Sequence, residues 1–480
     1  MAGVTCIRQA DWIIAWDSAA KAHRYLRSQD VAFNTAGVTF IGERYTDAVD
    51  EEVDGRDICV MPGLVNVHAH PTNQPITRGV REEMGNPKLY NSGLYDRTSL
   101  WVADDDGLLA GAEVALGELL KSGVTTAIDY AGRVPEPGWL DVLAKSGMRM
   151  FAAPGFRDAE WVVVGESRVD YDWDEKRGKA ARERALALIE QANSHPSNRL
   201  TGVVAPAQID TCTADTLQRS FRYANDMGLM WQIHASQGLT EFHEMTQRHG
   251  MSPVQWLGAL GVLGPMSTVA HCLFTDVHEW TRWPIKGDLA TLAQSGATVA
   301  HCPVVFSRYG QTMQSLGGYV RAGVNIGIGT DTAPHNMLEE MRQALILSRV
   351  ASGDMNDLTT TQVFNAATIG GARAFLRDDI GRLAVGAKAD IVLIDLTNRY
   401  MRPMRDPLRN LIYTAADRAI RDVYVDGVMV VSNGEVLTFD IQGALDRLEA
   451  AQQRAEAGVA ARDPAGRTGS ELSPLVLEQA

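Results

Sequence analysis

Cysteine is scarce in this chain and never clustered: Cys6, Cys59, Cys212, Cys272 and Cys302 are scattered through 480 residues, odd in number and without a CxxC pair. That excludes a disulfide framework and a thiolate zinc cluster, and it fits a reducing compartment. Long apolar runs are missing as well. No stretch reaches the ~18 residues of a membrane span. The opening MAGVTCIRQADWIIAWD meets a charge every few residues, so no export or membrane signal is expected and the location is expected to be cytoplasmic. Positive charge is in deficit, with 45 Lys and Arg against 59 Asp and Glu and a net charge of -14. A field of that sign repels phosphate backbones and anionic lipid, so neither nucleic acid nor membrane is an expected partner. Internal repeats and low-complexity tracts are also absent. What remains is an ordinary folded composition, 45% hydrophobic and 22% charged, in a chain longer than the ~250–300 residues one core supports. More than one folding unit is expected.

From Ile7 to Val60 short β-rich runs such as ADWIIAW, VAFNTAGVTFIGE and DICVMPG are broken by glycine and acidic turns. Beyond Leu64, short apolar runs alternate with longer amphipathic segments, the pattern of strand and helix units that build a parallel sheet. The candidate strands are GLVNVHAH, GVTTAIDY, MRMFAAPG, LTGVVAPAQ, LMWQIHAS, STVAHCLF, ATVAHCPV and VNIGIGTD. Eight such strands predict an α/β chain with a (β/α)8 TIM barrel, its active site at the C-terminal strand ends. GAKADIVLIDL and RDVYVDGVMVV return to the N-terminal period-two pattern. The two chain ends are therefore expected to pair into a small β-sandwich domain, residues 1–62 with 378–440, into which the barrel, 63–377, is inserted. Residues 441–480 read as an exposed C-terminal helix followed by a loose tail.

Five of the eleven histidines, His68, His70, His234, His271 and His301, fall at the ends of apolar strand-like runs. His68 and His70 are one residue apart, so strand alternation turns both rings to one face, which suits a divalent metal. The plainer alternative, a polar pair in the core, leaves two rings buried without a partner. His234 ends MWQIHAS and Asp331 follows IGIGT. Three imidazoles and a carboxylate would hold zinc or iron with a position left for water. Such an ion lowers the pKa of its water toward ~7, and Asp331 is placed to take the proton. The competing role for Asp331 is a helix N-cap before DTAPHNMLEEM. His271 and His301 form a second layer, as functional rings or as core histidines bonded to backbone.

Taken in order, PGLVNVHAH, the histidine of QIHAS, VAHC, AHCPVV and GIGTD resemble the amidohydrolase superfamily. Specifically they resemble its ATZ/TRZ branch of S-adenosylhomocysteine, methylthioadenosine, cytosine and guanine deaminases and triazine hydrolases. IGRLAVGAKADIVLIDL with DPLRNLIY and VYVDG resembles the family's closing β domain. The resemblance spans nearly the whole chain. It implies His68, His70, His234 and Asp331 as ligands of one divalent metal ion, zinc by expectation and iron as the alternative. It implies His271 as the residue that assists the attacking hydroxide. LTGVVAPAQ has no lysine to bridge two metals, so the implied site is mononuclear. PTNQPITRGVREEMGNPKLY resembles the family's lid, where Arg78 and Glu83 are candidate substrate contacts against the alternative of a solvated loop face. A dimer or larger homo-oligomer is implied on the same ground.

Three departures bear on chemistry. Where the deaminases carry a proton-shuttling glutamate three residues after the fifth-strand histidine, this chain has Gln237, and an amide cannot titrate. Glu241 and Glu244 lie near, expected on the outer face of the next helix. Relatives tend to have a histidine where APAQIDTC has Ala207. The region after His301 reads PVVFSRYG, which brings Phe306 and Tyr309 as substrate contacts beside His301, with Arg308 between them. Trp101 and Trp231 join Phe306 and Tyr309 in suggesting an aromatic or apolar substrate. The expected function is metal-dependent hydrolysis of a C–N bond in a small aromatic or heterocyclic amide, urea, carbamate or triazine. Catalysis would rest on metal-bound hydroxide, His271, Asp331 and Gln237. The alternatives are hydrolytic deamination of a nucleobase-like amine and a non-catalytic binding barrel.

Overall fold

The computed structural model describes residues 3–165 and 167–477. Each of the eight apolar runs contains a strand: β1 (Leu64–Asn66), β2 (Val124–Ala131), β3 (Arg149–Phe156), β4 (Leu200–Gly202), β5 (Trp231–Ala235), β6 (Ser267–His271), β7 (Thr298–His301) and β8 (Asn325–Ile328). They form two parallel sheets, ordered β4-β3-β2-β1 and β5-β6-β7-β8. Isolated parallel bridges join the sheets on both sides. Val204 pairs with Trp231 and Gln208 with His234 beside β5, while Ala69 pairs with Asp331 just past β1 and β8.

Alternation along the strands sends neighbours into two different cores. Val65, Ile128, Phe151 and Ala153 meet in an inner cluster with Met230, Ala270 and Ala300, whereas Leu64, Ala127, Met150 and Ala152 face the helices. Both sides of each strand are therefore covered, which is why the runs read as continuously apolar. Phe375 closes the inner cluster, stacked on Phe151 at a centroid distance of 3.9 Å. Helices begin where short polar side chains can bond their free N–H groups. Asp104 caps Asp105–Lys121, and Asn336, not Asp331, caps Met337–Ser352.

Strands from the two chain ends pair with one another. Trp12–Asp17, Ala22–Leu26 and Ile58–Pro62 share one sheet with Ile391–Asp395, Ile420–Val425, Val428–Ser432 and Glu435–Val436, joined by the antiparallel pair Ile58–Pro62 and Ile391–Asp395. A second sheet holds Thr5–Ala10, Gln29–Asn34, Gly37–Gly42 and Glu51–Asp54. Ile7, Val31 and Phe33 of the second sheet and Ile13, Val60, Ile391 and Tyr424 of the first lie in one apolar cluster.

The C-terminal helix is packed rather than exposed, and the chain after it stays packed as far as Leu472. Ile441–Ala457 is a helix that buries Ala444, Leu448, Ala451 and Ala455 against Leu108, Ala110 and Val114. Residues spaced four, three and four apart form one stripe, but three of them are alanines, so the stripe is faint in the sequence. Beyond it Asp463 is buried against Arg467, a short helix at Gly469–Leu472 is opened by a capping box, and Leu472 joins the same cluster. Among the described residues no helix is long and apolar enough to cross a membrane.

Candidate metal centre and substrate cavity

The strand ends bring four of the five singled-out histidines together with Asp331. Ligand-capable atoms of His68, His234 and His271 lie within 4.8 Å of one another, as do those of His68, His70 and Asp331. Three of the rings are fixed from behind. His68 Nδ1 meets Gln232 Oε1 at 2.8 Å, His70 Nδ1 meets the Tyr130 carbonyl at 2.5 Å, and His234 Nδ1 meets the Ala207 carbonyl at 2.6 Å. Bonded at Nδ1, each ring presents Nε2 to the centre, the arrangement that orients metal-ligating histidines. His70 Nε2 is 3.2 Å and His68 Nε2 3.7 Å from Asp331 Oδ1, and the Nε2 atoms of His234 and His70 are 3.4 Å apart.

The backbone is bent to achieve this. Ser236, His271 and Asp331 take positive φ angles of 55°, 81° and 53°, a conformation that costs a non-glycine residue of order 1 kcal/mol or more. At Asp331 it is held from both sides: its N–H donates to the His68 carbonyl at 2.9 Å, and its own carbonyl accepts from His70 N–H at 2.8 Å.

Burial disfavours the charged form of His68, His234 and His271. Burial first, and then the neighbouring imidazoles, push His68 and His234 well below the ordinary histidine value. Burial lowers His271 to about 3. Burial raises the Asp331 carboxyl, but the His70 hydrogen bond and the neighbouring His271, His70 and His68 outweigh it and hold the group well below the usual carboxylate range. Neutral imidazoles beside an ionised carboxylate are the protonation states a divalent cation requires. The donor set fits such an ion on a second count. His68 Nε2 and His271 Nδ1 are buried and have no hydrogen-bond partner, a cost a bound cation removes.

A cavity of about 570 Å³ opens over this cluster and reaches His70, His234, His271 and Asp331. Gln237 lines it and donates from Nε2 to Gln208 Oε1 at 2.9 Å, so a pair of amides stands where resemblance to the deaminases implies a glutamate. Ala207, Phe306 and Tyr309 line it as well, and the Phe306 ring sits edge-on to His271 at 4.8 Å.

Several expectations are corrected by position. Arg78 is absent from the cavity wall and donates to Glu118 Oε2 at 2.6 Å. His301 is buried behind the wall rather than in it, and burial lowers it to about 4. Trp101 lines the cavity, but Trp231 is core, its indole N–H donating to Ser220 Oγ at 2.9 Å. Glu241 is not on an outer face. It is 0% exposed and accepts from Ser236 N–H at 2.6 Å and Gln237 N–H at 3.2 Å. Glu244 is half-buried and pairs with Arg248.

Other residues entered the site without a sequence signal. Strands Ala159–Val164 and Arg168–Trp173 pair beside the cavity, which Trp161 lines. Trp161 Nε1 and Tyr171 OH both donate to Asp210 Oδ2, at 2.8 and 2.9 Å. Gln232 and Gln208 are ordinary polar letters in the sequence, and only their places opposite His68 and Gln237 give them meaning.

Known proteins resemble this chain in sequence and in fold. The chain is 29% identical over 419 residues to a 5-methylthioadenosine/S-adenosylhomocysteine deaminase of Halobacterium salinarum, covering 86% of this chain and 90% of the relative. It is 27% identical to a 5'-deoxyadenosine deaminase of Methanothermobacter thermautotrophicus, covering 84% and 88%. Among solved structures it shares the fold of a triazine hydrolase variant, with a TM-score of 0.80 at 22% identity over 94% of this chain and 99% of that one. It also shares the fold of a zinc-bound adenosine deaminase of Xanthomonas campestris, with a TM-score of 0.75 at 22% identity over 94% and 98%. The family model described as the amidohydrolase family matches residues 59–430, and with that much of its length accounted for, the chain belongs to the amidohydrolase family.

Proposed function

We propose that this protein is a metal-dependent hydrolase that cleaves a C–N bond in a small aromatic or heterocyclic amide, urea, carbamate or triazine. One divalent ion, zinc by the chemistry of the donors, would be held by His68, His70, His234 and Asp331. When bound, such an ion acts as a Lewis acid and brings the pKa of water near ~7. The chain's own groups do the rest. Asp331, ionised and aimed at the cluster, takes the proton of the attacking water and returns it to the departing nitrogen. His271 fixes the geometry of attack from β6. Phe306 and Tyr309 clasp the substrate from one wall, and Gln237 with Gln208 orients a carbonyl or ring nitrogen without titrating.

The observation that carries this reading is the Gln237–Gln208 amide pair. Deamination of an aminopyrimidine needs a ring nitrogen protonated, and no carboxyl stands where relatives carry one. Hydrolysis of an acyl–nitrogen bond, in which water attacks the carbonyl carbon and the amine departs, has less need of that step. The second reading, hydrolytic deamination of a nucleobase-like or heteroaromatic amine, is favoured by the deaminase relatives.

The two parallel sheets, bridged on both sides, support a closed (β/α)8 barrel over 63–377. The shared apolar cluster supports a β-sandwich from 1–62 and 378–440. A cytoplasmic homodimer or larger oligomer belongs to the same proposal. The test is turnover of a panel of anilides, aryl ureas, carbamates, triazines and aminopyrimidines in oxygen-18 water. Two fragments, labelled on the acyl side or on the triazine ring, are expected. Release of ammonia alone, with one labelled oxygen replacing an amino group, establishes the deaminase reading instead.

A further inference from the structure

Among the described residues, Arg81 is the one strongly cationic side chain in the cavity wall that is both buried and unmatched. It is 7% exposed, whereas Arg133 and Arg157, the other arginines lining the cavity, are far more open and pair with Asp105 and Glu160. Its Nη1 bonds the Gln74 side-chain oxygen, and its Nε is buried without a partner. Among the described residues no carboxylate lies within ion-pair distance of it. The neighbouring Glu82 is turned to Arg308, and the carbonyl of Arg81 meets Tyr309 OH at 3.5 Å. A guanidinium that gives up water for one amide oxygen is costly in a folded chain, because the lost hydration of a buried charge is repaid only by an opposite charge or further hydrogen bonds. Such a cost persists where a ligand supplies the missing charge.

The location is suited to that. Gln74 follows His70 by one turn and donates its N–H to the His70 carbonyl at 3.1 Å, and Tyr309 follows Phe306, whose ring contacts His271. Arg81 therefore stands on a wall continuous with the reacting centre. The free edge of its fork, Nε and Nη2, matches the two oxygens of a planar anion.

We infer that the substrate carries an anionic group, a carboxylate by the shape of the fork, and that Arg81 is the specificity-determining residue that receives it. This rests on the hydrolase reading above for the cavity, but its test does not need turnover.

The probes are 4-acetamidobenzoate, its neutral counterpart acetanilide, and 4-acetamidobenzenesulfonate, each titrated into the metal-loaded protein by calorimetry. The carboxylate is expected to bind at least about tenfold more tightly than acetanilide, the size of a charge-assisted hydrogen bond. In Arg81→Leu that preference should vanish, and in Arg81→Lys it should survive in part. Arg81→Leu should also melt no lower than the wild type, because a structural arginine would take stability with it and an unmatched one would not.

Equal binding of carboxylate and acetanilide by the wild type overturns the inference. So does an undiminished preference in Arg81→Leu, which would place the anion elsewhere. Tighter binding of the sulfonate than of the carboxylate keeps the anion site and overturns the carboxylate assignment. If anion binding fails while the oxygen-18 panel still shows C–N cleavage, the hydrolase reading stands without this one.

Discussion

Replacing Gln237 by glutamate separates the two chemistries most directly. In the wild type the Gln237 amide donates to Gln208 Oε1 at 2.9 Å, and a carboxylate there would set oxygen against oxygen until Gln208 turns its own amide around. The lost hydrogen bond is worth about 1 kcal/mol, or about fivefold in rate where it positions substrate. The new carboxyl would also stand beside Glu241, which already accepts the residue-237 N–H and which burial, then the Asp210 charge, pushes well above its usual range. A further acid in that neighbourhood has its own pKa pushed up, toward the value a general acid needs at neutral pH. For a reaction that waits on protonation of a ring nitrogen the gain is roughly 10²–10⁴-fold. Gln237→Glu should therefore slow amide, urea or carbamate cleavage by about fivefold, measured as kcat/KM by product mass spectrometry. It should raise ammonia release from aminopyrimidines by about 10²-fold or more. A rise of that size in amide or urea cleavage would mean the missing carboxyl had been limiting all along, and the proposed chemistry would be wrong.

Asp331→Ala should abolish turnover and lower the bound metal measured by mass spectrometry, with the far-UV spectrum unchanged; a metal-replete, active variant would contradict the ligand assignment. Chelating the ion should lower the melting temperature, by the equivalent of about 2.7 kcal/mol if the free ion had stood at a hundred times its Kd. Asp210 and Glu241 are both fully buried, and burial raises both above their unfolded values. Their contribution to stability is therefore present at low pH and is lost as the pH climbs past about 4 toward those raised values. Asp210→Asn keeps an acceptor for Trp161 and Tyr171 while removing the charge that faces Glu241, so it should raise the melting temperature at pH 8 and flatten its fall above pH 5. Gln452 donates to the Ile76 and Arg78 carbonyls at 2.7 and 2.9 Å, tying the C-terminal helix to the loop that walls the cavity. Gln452→Ala should raise KM several-fold at nearly constant kcat, and an unchanged KM would show that the loop stands without the helix.

The strands and the clustered histidines are legible because two rules of chain geometry leave marks in the sequence. A strand covered on both faces must be apolar throughout, so a histidine at its end stands out against Val and Ile, as His234 does after WQI and His271 after TVA. What was not legible depends on partners far apart in the chain. Gln232 matters because it faces His68 across 164 residues, and Gln208 because it meets Gln237 across 29. Neither has a periodicity that announces it. Arg78 and Arg81 show the limit most clearly. Both are arginines in one polar loop, three residues apart, and nothing local separates the one that finds Glu118 from the one that finds no carboxylate. The separation comes from helix Asp105–Lys121, which carries Glu118 to Arg78 and offers Arg81 nothing. Burial without a partner is a property of the folded chain alone, and for a charged group it marks the place where a ligand has yet to be counted. It follows that Arg78, already matched and outside the cavity wall, should be indifferent to a change of substrate charge, whereas every such change should be felt at Arg81.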